Sequence, residues 1–115
     1  MNEEPKKEEQ FLTFEEFFST PKHMKQYGII PRFNNFYFLF LKKEEGVLNP
    51  KLDDEKLFKL REAFKKEYPE IFSSICKVAE RKDNDPNWYS AVKKELYFAY
   101  VYFRTHGYSD QELFS

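Results

Sequence analysis

The stretch from Asp53 to Tyr68, DDEKLFKLREAFKKEY, is the clearest guide to the fold. Four of its apolar and aromatic residues recur at intervals of three and four: Leu57, Leu60, Phe64 and Tyr68. Side chains with that spacing lie along one side of an α-helix. Charged side chains fill most of the other positions. The stretch therefore predicts a surface helix that buries one face in a core.

Towards the C-terminus, prolines mark where helices end and begin. Pro69 disfavours helical geometry for the residue before it, which separates the next helix from the first. Pro86 follows Asp85, a pair typical of an N-cap and a first helical turn. We therefore expect three further helical segments: residues 70–81, residues 88 to about 105, and a short final turn capped by Ser109 and Glu112.

Towards the N-terminus, the sequence predicts two short helices. Thr13 followed by Glu16 is a capping-box pattern, which opens a helix that carries Phe14, Phe17 and Phe18. A second short helix is expected from Pro21 to Tyr27, because Gly28 follows it at the position where a helix commonly stops.

Residues 33–45 can be read in two ways. Phe36, Phe38 and Phe40 alternate as in a strand, but the same stretch also has apolar residues at helical spacing. Helix is the favoured interpretation, because the stretch ends in charged residues followed by Gly46. Residues 47–52 are then expected to form a loop.

Together these elements predict an all-α protein. Five or six helices with short connections favour a compact orthogonal bundle, formed by a single domain over residues 11–115. The first 20 residues carry two lysines and six glutamates, whereas the whole chain has a net charge of −1. Residues 1–10 are highly charged and contain no aromatic residue, so we expect them to form a disordered acidic tail.

The sequence favours a location in the cytoplasm. Cys76 is the single cysteine, so no intramolecular disulfide can form and a reducing compartment is the default. The run from Phe36 to Leu41 is far shorter than the roughly 20 apolar residues needed to cross a bilayer. We therefore expect a soluble chain that neither spans a membrane nor is exported.

Residue types that usually catalyse reactions or bind cofactors are scarce. The two histidines, His23 and His106, are distant in sequence, and no spacing places two metal ligands on one helical face. The three glycines are all explained as helix stops, which leaves no loop to hold a phosphate. Cys76 is interpreted as a small, half-buried hydrophobic residue. We therefore expect no metal, no cofactor and no enzymatic activity.

The last long helix carries the candidate partner-binding residues. Aromatic residues make up 20% of the chain and have to be divided between core and interface. One side of the helix is predicted to face the core: Trp88, Val92, Leu96, Ala99 and Phe103. The other side receives the candidates Tyr97, Phe98, Val101, Lys93, Lys94 and Arg104. Such a helix is either central and buried all round, or has a second face against a partner. Phe38 and Leu39, outside the stripe of their own helix, are further candidates.

Two functions remain open at this point. The favoured hypothesis is a protein–protein interaction module, such as an adaptor, inhibitor, assembly factor or subunit, whose partner is another protein or a second copy of the chain. The alternative is a helical nucleic-acid-binding domain, in which lysines contact phosphates. These hypotheses differ in charge placement, because a nucleic-acid site should bring together six lysines: Lys42, Lys43, Lys65, Lys66, Lys93 and Lys94.

Overall fold

Residues 11–18, 33–81 and 88–114 are described by a computed structural model of the chain. Every regular element within these ranges is helical, which confirms the all-α prediction for them. In chain order the elements are α1 Phe14–Phe17, α2 Phe33–Phe36 with a 3-10 turn Tyr37–Phe40, α3 Pro50–Asp53, α4 Glu55–Glu67, α5 Pro69–Ala79, a 3-10 turn Trp88–Val92 leading into α6 Lys93–Thr105, and α7 Asp110–Phe114. The expected tail over 1–10, the helix Pro21–Tyr27 and the cap at Asp85 lie outside the described residues.

Helix ends follow the capping signals of the sequence. The Thr13 hydroxyl accepts from the Glu16 backbone N–H at 3.1 Å, and the Glu16 carboxylate accepts from the Thr13 N–H at 2.9 Å. Ser109 and Glu112 make the same reciprocal pair. The Asp54 carboxylate accepts from the third residue of α4 at 3.1 Å. These bonds satisfy amides that a helix leaves without an internal partner.

The helix expected over 33–45 is shorter than its sequence pattern indicates. It tightens into a 3-10 turn and ends at Phe40, and residues 41–45 are not helical. The loop expected over 47–52 is also partly helical, because Asn49 caps the short helix α3 through the backbone N–H groups of Lys51 and Leu52. Local capping at Asn49 therefore starts a helix that apolar periodicity does not reveal.

Helix α6 packs against the core along one side. The side predicted to face inward is buried along its length, from Trp88 and Val92 to Phe103. Phe64 of α4 and Ile75 of α5 are fully buried in the same cluster. Of the stripe that defined α4 in the sequence, Leu57 and Phe64 pack inward as predicted and Leu60 packs half-buried against the core, but Tyr68 at its end is exposed, so the predicted inward position of Tyr68 is wrong. In the described ranges no helix is long and apolar enough to cross a membrane.

The N-terminal segment, residues 11–18, lies along one flank of α6. The Tyr97 hydroxyl donates to the Leu12 carbonyl at 2.7 Å, and the Leu12 N–H donates to the Tyr100 hydroxyl at 2.8 Å. Phe17, within this segment, is fully buried. The segment therefore covers part of the face that the sequence assigned to a partner.

Candidate functional site

Two aromatic rings stand side by side on the outside of the helical core. Tyr68, at the end of α4, is 37% exposed, and Phe98, on α6, is 39% exposed. Their ring centroids are 4.8 Å apart and the ring planes meet at 73°, an edge-to-face contact. We call this pair the Tyr68–Phe98 surface. Its two rings come from different helices, so its shape depends on how α4 and α6 pack.

Buried rings hold the Tyr68–Phe98 surface from below. The fully buried Phe64 lies 5.8 Å from Tyr68 and 6.3 Å from Phe98, measured between ring centroids. Tyr102, which is 9% exposed, packs against Phe64 at 4.8 Å and meets Tyr68 edge to face at 6.1 Å. Both exposed rings therefore rest on a packed aromatic layer that restricts their movement.

The backbone also fixes Tyr68. Its N–H donates to the Phe64 carbonyl at 2.9 Å, and its carbonyl accepts from the Phe72 N–H at 3.0 Å. Pro69 occupies the first turn of α5, where its missing N–H is not needed. Tyr68 therefore sits at a rigid corner between two helices, and the proline that breaks the sequence pattern sets that corner.

Charged groups lie at the margins of the pair. Lys94 precedes Phe98 by one helical turn and is exposed. Glu67 directly precedes Tyr68 and lies near Tyr102: burial raises the pKa of the Tyr102 hydroxyl, and the nearby Glu67 carboxylate raises it further. His106 stacks on Tyr102 at 4.2 Å between ring centroids. The two rings of the surface therefore have charged residues of both signs close to them along their helices, Lys94 on α6 and Glu67 on α4.

The candidates predicted on α6 are divided by the structure. Phe98, Lys93 and Lys94 are exposed, as the sequence indicated. Tyr97 and Val101 are half-buried and pack against the core cluster. The N-terminal segment accounts for Tyr97, because Phe14 meets its ring edge to face at 5.5 Å.

Arg104 does not lie on the open side of α6, so its predicted exposure is wrong. It is 7% exposed, and its Nε lies 2.9 Å from the Asp110 carboxylate. Its guanidinium also donates to the Tyr108 carbonyl at 3.1 Å and lies over the Phe11 ring at 4.6 Å. Arg104 therefore joins α6 to α7 and the N-terminal segment, contacts that helical periodicity does not contain.

Leu39 is also wrongly placed by the prediction, since it is fully buried. In a 3-10 turn, side chains three residues apart lie above one another, so Leu39 follows the fully buried Phe36 into the core. Phe38 is half-buried and borders a groove with Leu41 and Leu48. Phe38 therefore remains a surface candidate, but none of the residues that line its groove belongs to α6.

The lysines that a nucleic-acid site should bring together contact different parts of the structure. Lys42 and Lys65 border a groove of about 410 Å³ that also contains Phe40 and Phe72. The Lys43 ammonium lies 3.2 Å from the Asp53 carboxylate. Lys93 lies 5.5 Å from the centroid of the Phe18 ring, beside the N-terminal segment. Only two of the lysines therefore meet at this groove.

Arg61 is a structural residue that the sequence interpretation passed over. It is 7% exposed, its Nε donates to the Leu39 carbonyl at 2.6 Å, and its Nη2 donates to the Leu41 carbonyl at 3.1 Å. Its guanidinium lies 4.9 Å from the Phe72 ring centroid and pairs with Glu62. Its position on the apolar stripe of α4, one turn after Leu57, was the available signal.

Cys76 is half-buried in the wall of the groove that Lys42 and Lys65 border. Burial raises the pKa of its thiol from 9.0 to about 11, and the nearby Arg61 charge only partly opposes this. A nucleophilic cysteine needs a lowered pKa, so the environment of Cys76 disfavours thiolate chemistry at neutral pH. His106, the histidine within the described residues, stacks on the Tyr102 ring.

We expect Cys76 to react with iodoacetamide at least about tenfold more slowly at pH 8 than a free thiol does, with the rate rising steeply towards pH 11. The raised pKa leaves less thiolate at pH 8, and partial burial restricts access. The measurement is the alkylation rate by mass spectrometry between pH 7 and 11, with the denatured chain as control. Equal rates for folded and denatured chains at pH 8 would contradict the raised pKa.

Within the ranges that the structure describes, no three His, Cys, Asp or Glu side chains come together in a way that could hold a metal ion. His23 lies outside those ranges. Comparison of the chain with protein-family models, with curated proteins and with solved structures found no match.

Proposed function

We propose that this chain is a small, non-enzymatic protein–protein interaction module and that the Tyr68–Phe98 surface is its contact site. One observation carries the proposal: two aromatic rings, each more than one-third exposed, are held in contact on a packed aromatic layer. Aromatic residues that are rigid before binding contribute strongly to protein interfaces, because little side-chain entropy is lost on association. The single cysteine supports a reducing, cytoplasmic setting.

The charges at the margins support a protein as the partner, and in particular a second copy of the chain. Lys94 lies one turn before Phe98 on α6, whereas Glu67 lies near Tyr102, one turn after Phe98. A two-fold axis near Phe98 would set two copies antiparallel and bring Lys94 of each towards Glu67 of the other. Symmetric dimers require such self-complementary patches. A phosphate backbone would instead meet the repulsion of Glu67.

Replacing both Tyr68 and Phe98 by alanine should leave a folded chain and weaken its self-association at least about 30-fold. The two rings are exposed, so their loss affects an interface more than the core. Light scattering over a range of concentrations measures the association. The matched control is the double change Val47→Ala and Leu48→Ala, which removes apolar groups that are 56% and 83% exposed elsewhere. A wild-type chain that stays monomeric, or a double variant that associates as tightly, would contradict the proposal.

Charge reversal at the margins gives a sharper check of the antiparallel arrangement. Lys94→Glu alone and Glu67→Lys alone should each weaken association, since each places like charges opposite one another. The two changes together should restore it, because the opposite charges are then exchanged rather than lost. Restoration should diminish as salt is raised. Additive losses in the double variant would rule out the pairing of Lys94 with Glu67.

Nucleic-acid binding is the second candidate function, and one observation favours it. Lys42 and Lys65 border the groove that contains the rings of Phe40 and Phe72, and basic groups beside aromatic rings are suited to single strands. Lys42→Ala with Lys65→Ala should then abolish a salt-dependent affinity for a single-stranded oligonucleotide. Absence of such binding by the wild-type chain at low salt would remove this candidate.

A further inference from the structure

A groove of about 410 Å³ lies between the end of the 3-10 turn Tyr37–Phe40, α4 and α5. Phe40 and Phe72 form its floor: they are 1% and 4% exposed, and their ring centroids are 5.8 Å apart. Pockets that hold small molecules measure about 300–1,000 Å³ and have mostly apolar walls. The groove is therefore large enough for a small ligand with an apolar body, and neither ring of the Tyr68–Phe98 surface lines it.

Positive side chains converge on this floor from two parts of the chain. Arg61 and Lys65 lie one turn apart on α4, and both are over the Phe72 ring, with the guanidinium carbon 4.9 Å and the ammonium nitrogen 5.8 Å from its centroid. Lys42 reaches the groove from the chain that follows the 3-10 turn. Like charges four residues apart on a helix repel one another. The fold therefore concentrates positive charge over an aromatic floor, with Glu80 as the one acidic group among the described residues that line the groove.

Lys42 and Lys65 are the cations of the groove that have hydrogen-bond donors to offer. Arg61 is engaged, because it donates to two backbone carbonyls and pairs with Glu62. Lys42 and Lys65 are exposed, and neither takes part in an ion pair with another described residue. An ammonium group is a point charge with three donors, which suits the oxygens of an anion. Two such groups at one groove therefore form a site for a negatively charged group, and the Arg61 charge adds to the positive potential.

Carboxylates beside the groove limit the length of the ligand. A second groove of about 290 Å³ adjoins the first, because Lys42 and Glu80 line both. Glu44 is a further lining residue of this second groove. A polyanion that continued from the first groove into the second would meet two carboxylates, whereas a compact anion would contact the cations alone. The charge placement therefore favours a small molecule over a nucleic-acid strand.

We propose that this groove binds a small amphiphilic anion. Its carboxylate, sulfonate or phosphate group is held by Lys42 and Lys65, and its aromatic body lies over the floor formed by Phe40 and Phe72. The anionic group offsets the mutual repulsion of the cations, and the aromatic body covers the apolar surface of the groove from water. The site does not depend on the Tyr68–Phe98 surface, so it is present whether or not the chain associates with itself.

Fluorescence titration of the full-length chain with anilinonaphthalene sulfonate, an aromatic anion, tests the site. We expect a single saturable site, and Lys42→Ala with Lys65→Ala should weaken its affinity at least about tenfold, because two charge-assisted contacts are lost. The matched control, Lys56→Ala with Lys59→Ala, removes the same charge from exposed positions of α4 that do not line the groove, and it should leave the affinity unchanged. The uncharged analogue N-phenylnaphthylamine should bind the wild-type chain and the groove variant equally. No saturable binding of the anion, or equal weakening by both lysine pairs, would overturn the proposal.

Two further measurements establish where the probe binds. Cys76 lies in the groove wall, so saturating probe should slow its alkylation by iodoacetamide at least about fivefold, since a bound ligand covers the thiol. An unchanged rate would place the probe elsewhere and overturn the proposal. The chain with Tyr68→Ala and Phe98→Ala should bind the probe as tightly as the wild-type chain, which separates this site from the surface of the proposed function. A single-stranded oligonucleotide that displaces the probe far better than inorganic phosphate, at equal phosphate concentration, would assign the groove to nucleic acid instead.

Discussion

Replacing Phe64 by alanine should destabilise the chain by about 3–5 kcal/mol, whereas replacing Phe98 should cost only about 1 kcal/mol. Phe64 is fully buried and lies under both rings of the Tyr68–Phe98 surface, so its loss leaves a cavity. Phe98 already faces solvent over 39% of its surface, and its removal leaves little to fill. Urea unfolding followed by circular dichroism at 222 nm measures both free energies.

The comparison within this pair is more informative than either value alone. Both residues are phenylalanines on adjacent helices in contact with the same tyrosine, Tyr68. They therefore differ mainly in burial, and the difference in stability reports which side chain belongs to the core. A cost for Phe98→Ala as large as that for Phe64→Ala would mean that the exposed ring is structural, and the interaction surface would lose its main support.

The inward faces of the long helices could be predicted because they depend on local spacing. Phe64 on α4 and Phe103 on α6 are fully buried, as their helical stripes indicated. Capping also acts locally, so the reciprocal bonds of Thr13 with Glu16 follow from the order of residue types alone. In each of these cases the residues that make the contact lie within a few turns of each other.

Contacts between distant residues account for what the sequence pattern missed. Tyr97 points away from the predicted core face, but Leu12 and Phe14 cover it from the start of the chain. Arg104 has a charged side chain at a position expected to be open, yet Asp110 and Phe11 enclose it. Periodicity describes one helix at a time, so it cannot assign the partner that covers a second apolar face.

Arg61→Met should destabilise the chain by about 3 kcal/mol even though methionine fills much of the same space. The arginine donates to the carbonyls of Leu39 and Leu41, where the 3-10 turn ends, and a buried carbonyl left without a donor costs about 1–3 kcal/mol. Loss of the guanidinium from the Phe72 ring adds to this. Chemical unfolding monitored by circular dichroism gives the free energy.

Two variants separate hydrogen bonding at Arg61 from charge and from packing. Arg61→Lys keeps the charge but replaces the planar fork of donors by a single ammonium, so it should recover only part of the loss. Lys59→Met, on the same helix, removes a cation whose side chain is 76% exposed and whose ion pair with Glu55 spans 4.0 Å, and it should change stability by less than about 0.5 kcal/mol. If Arg61→Met is as mild as Lys59→Met, the turn that buries Leu39 is held by packing, and the hydrogen bonds from the Arg61 guanidinium to the Leu39 and Leu41 carbonyls add little to the free energy of unfolding.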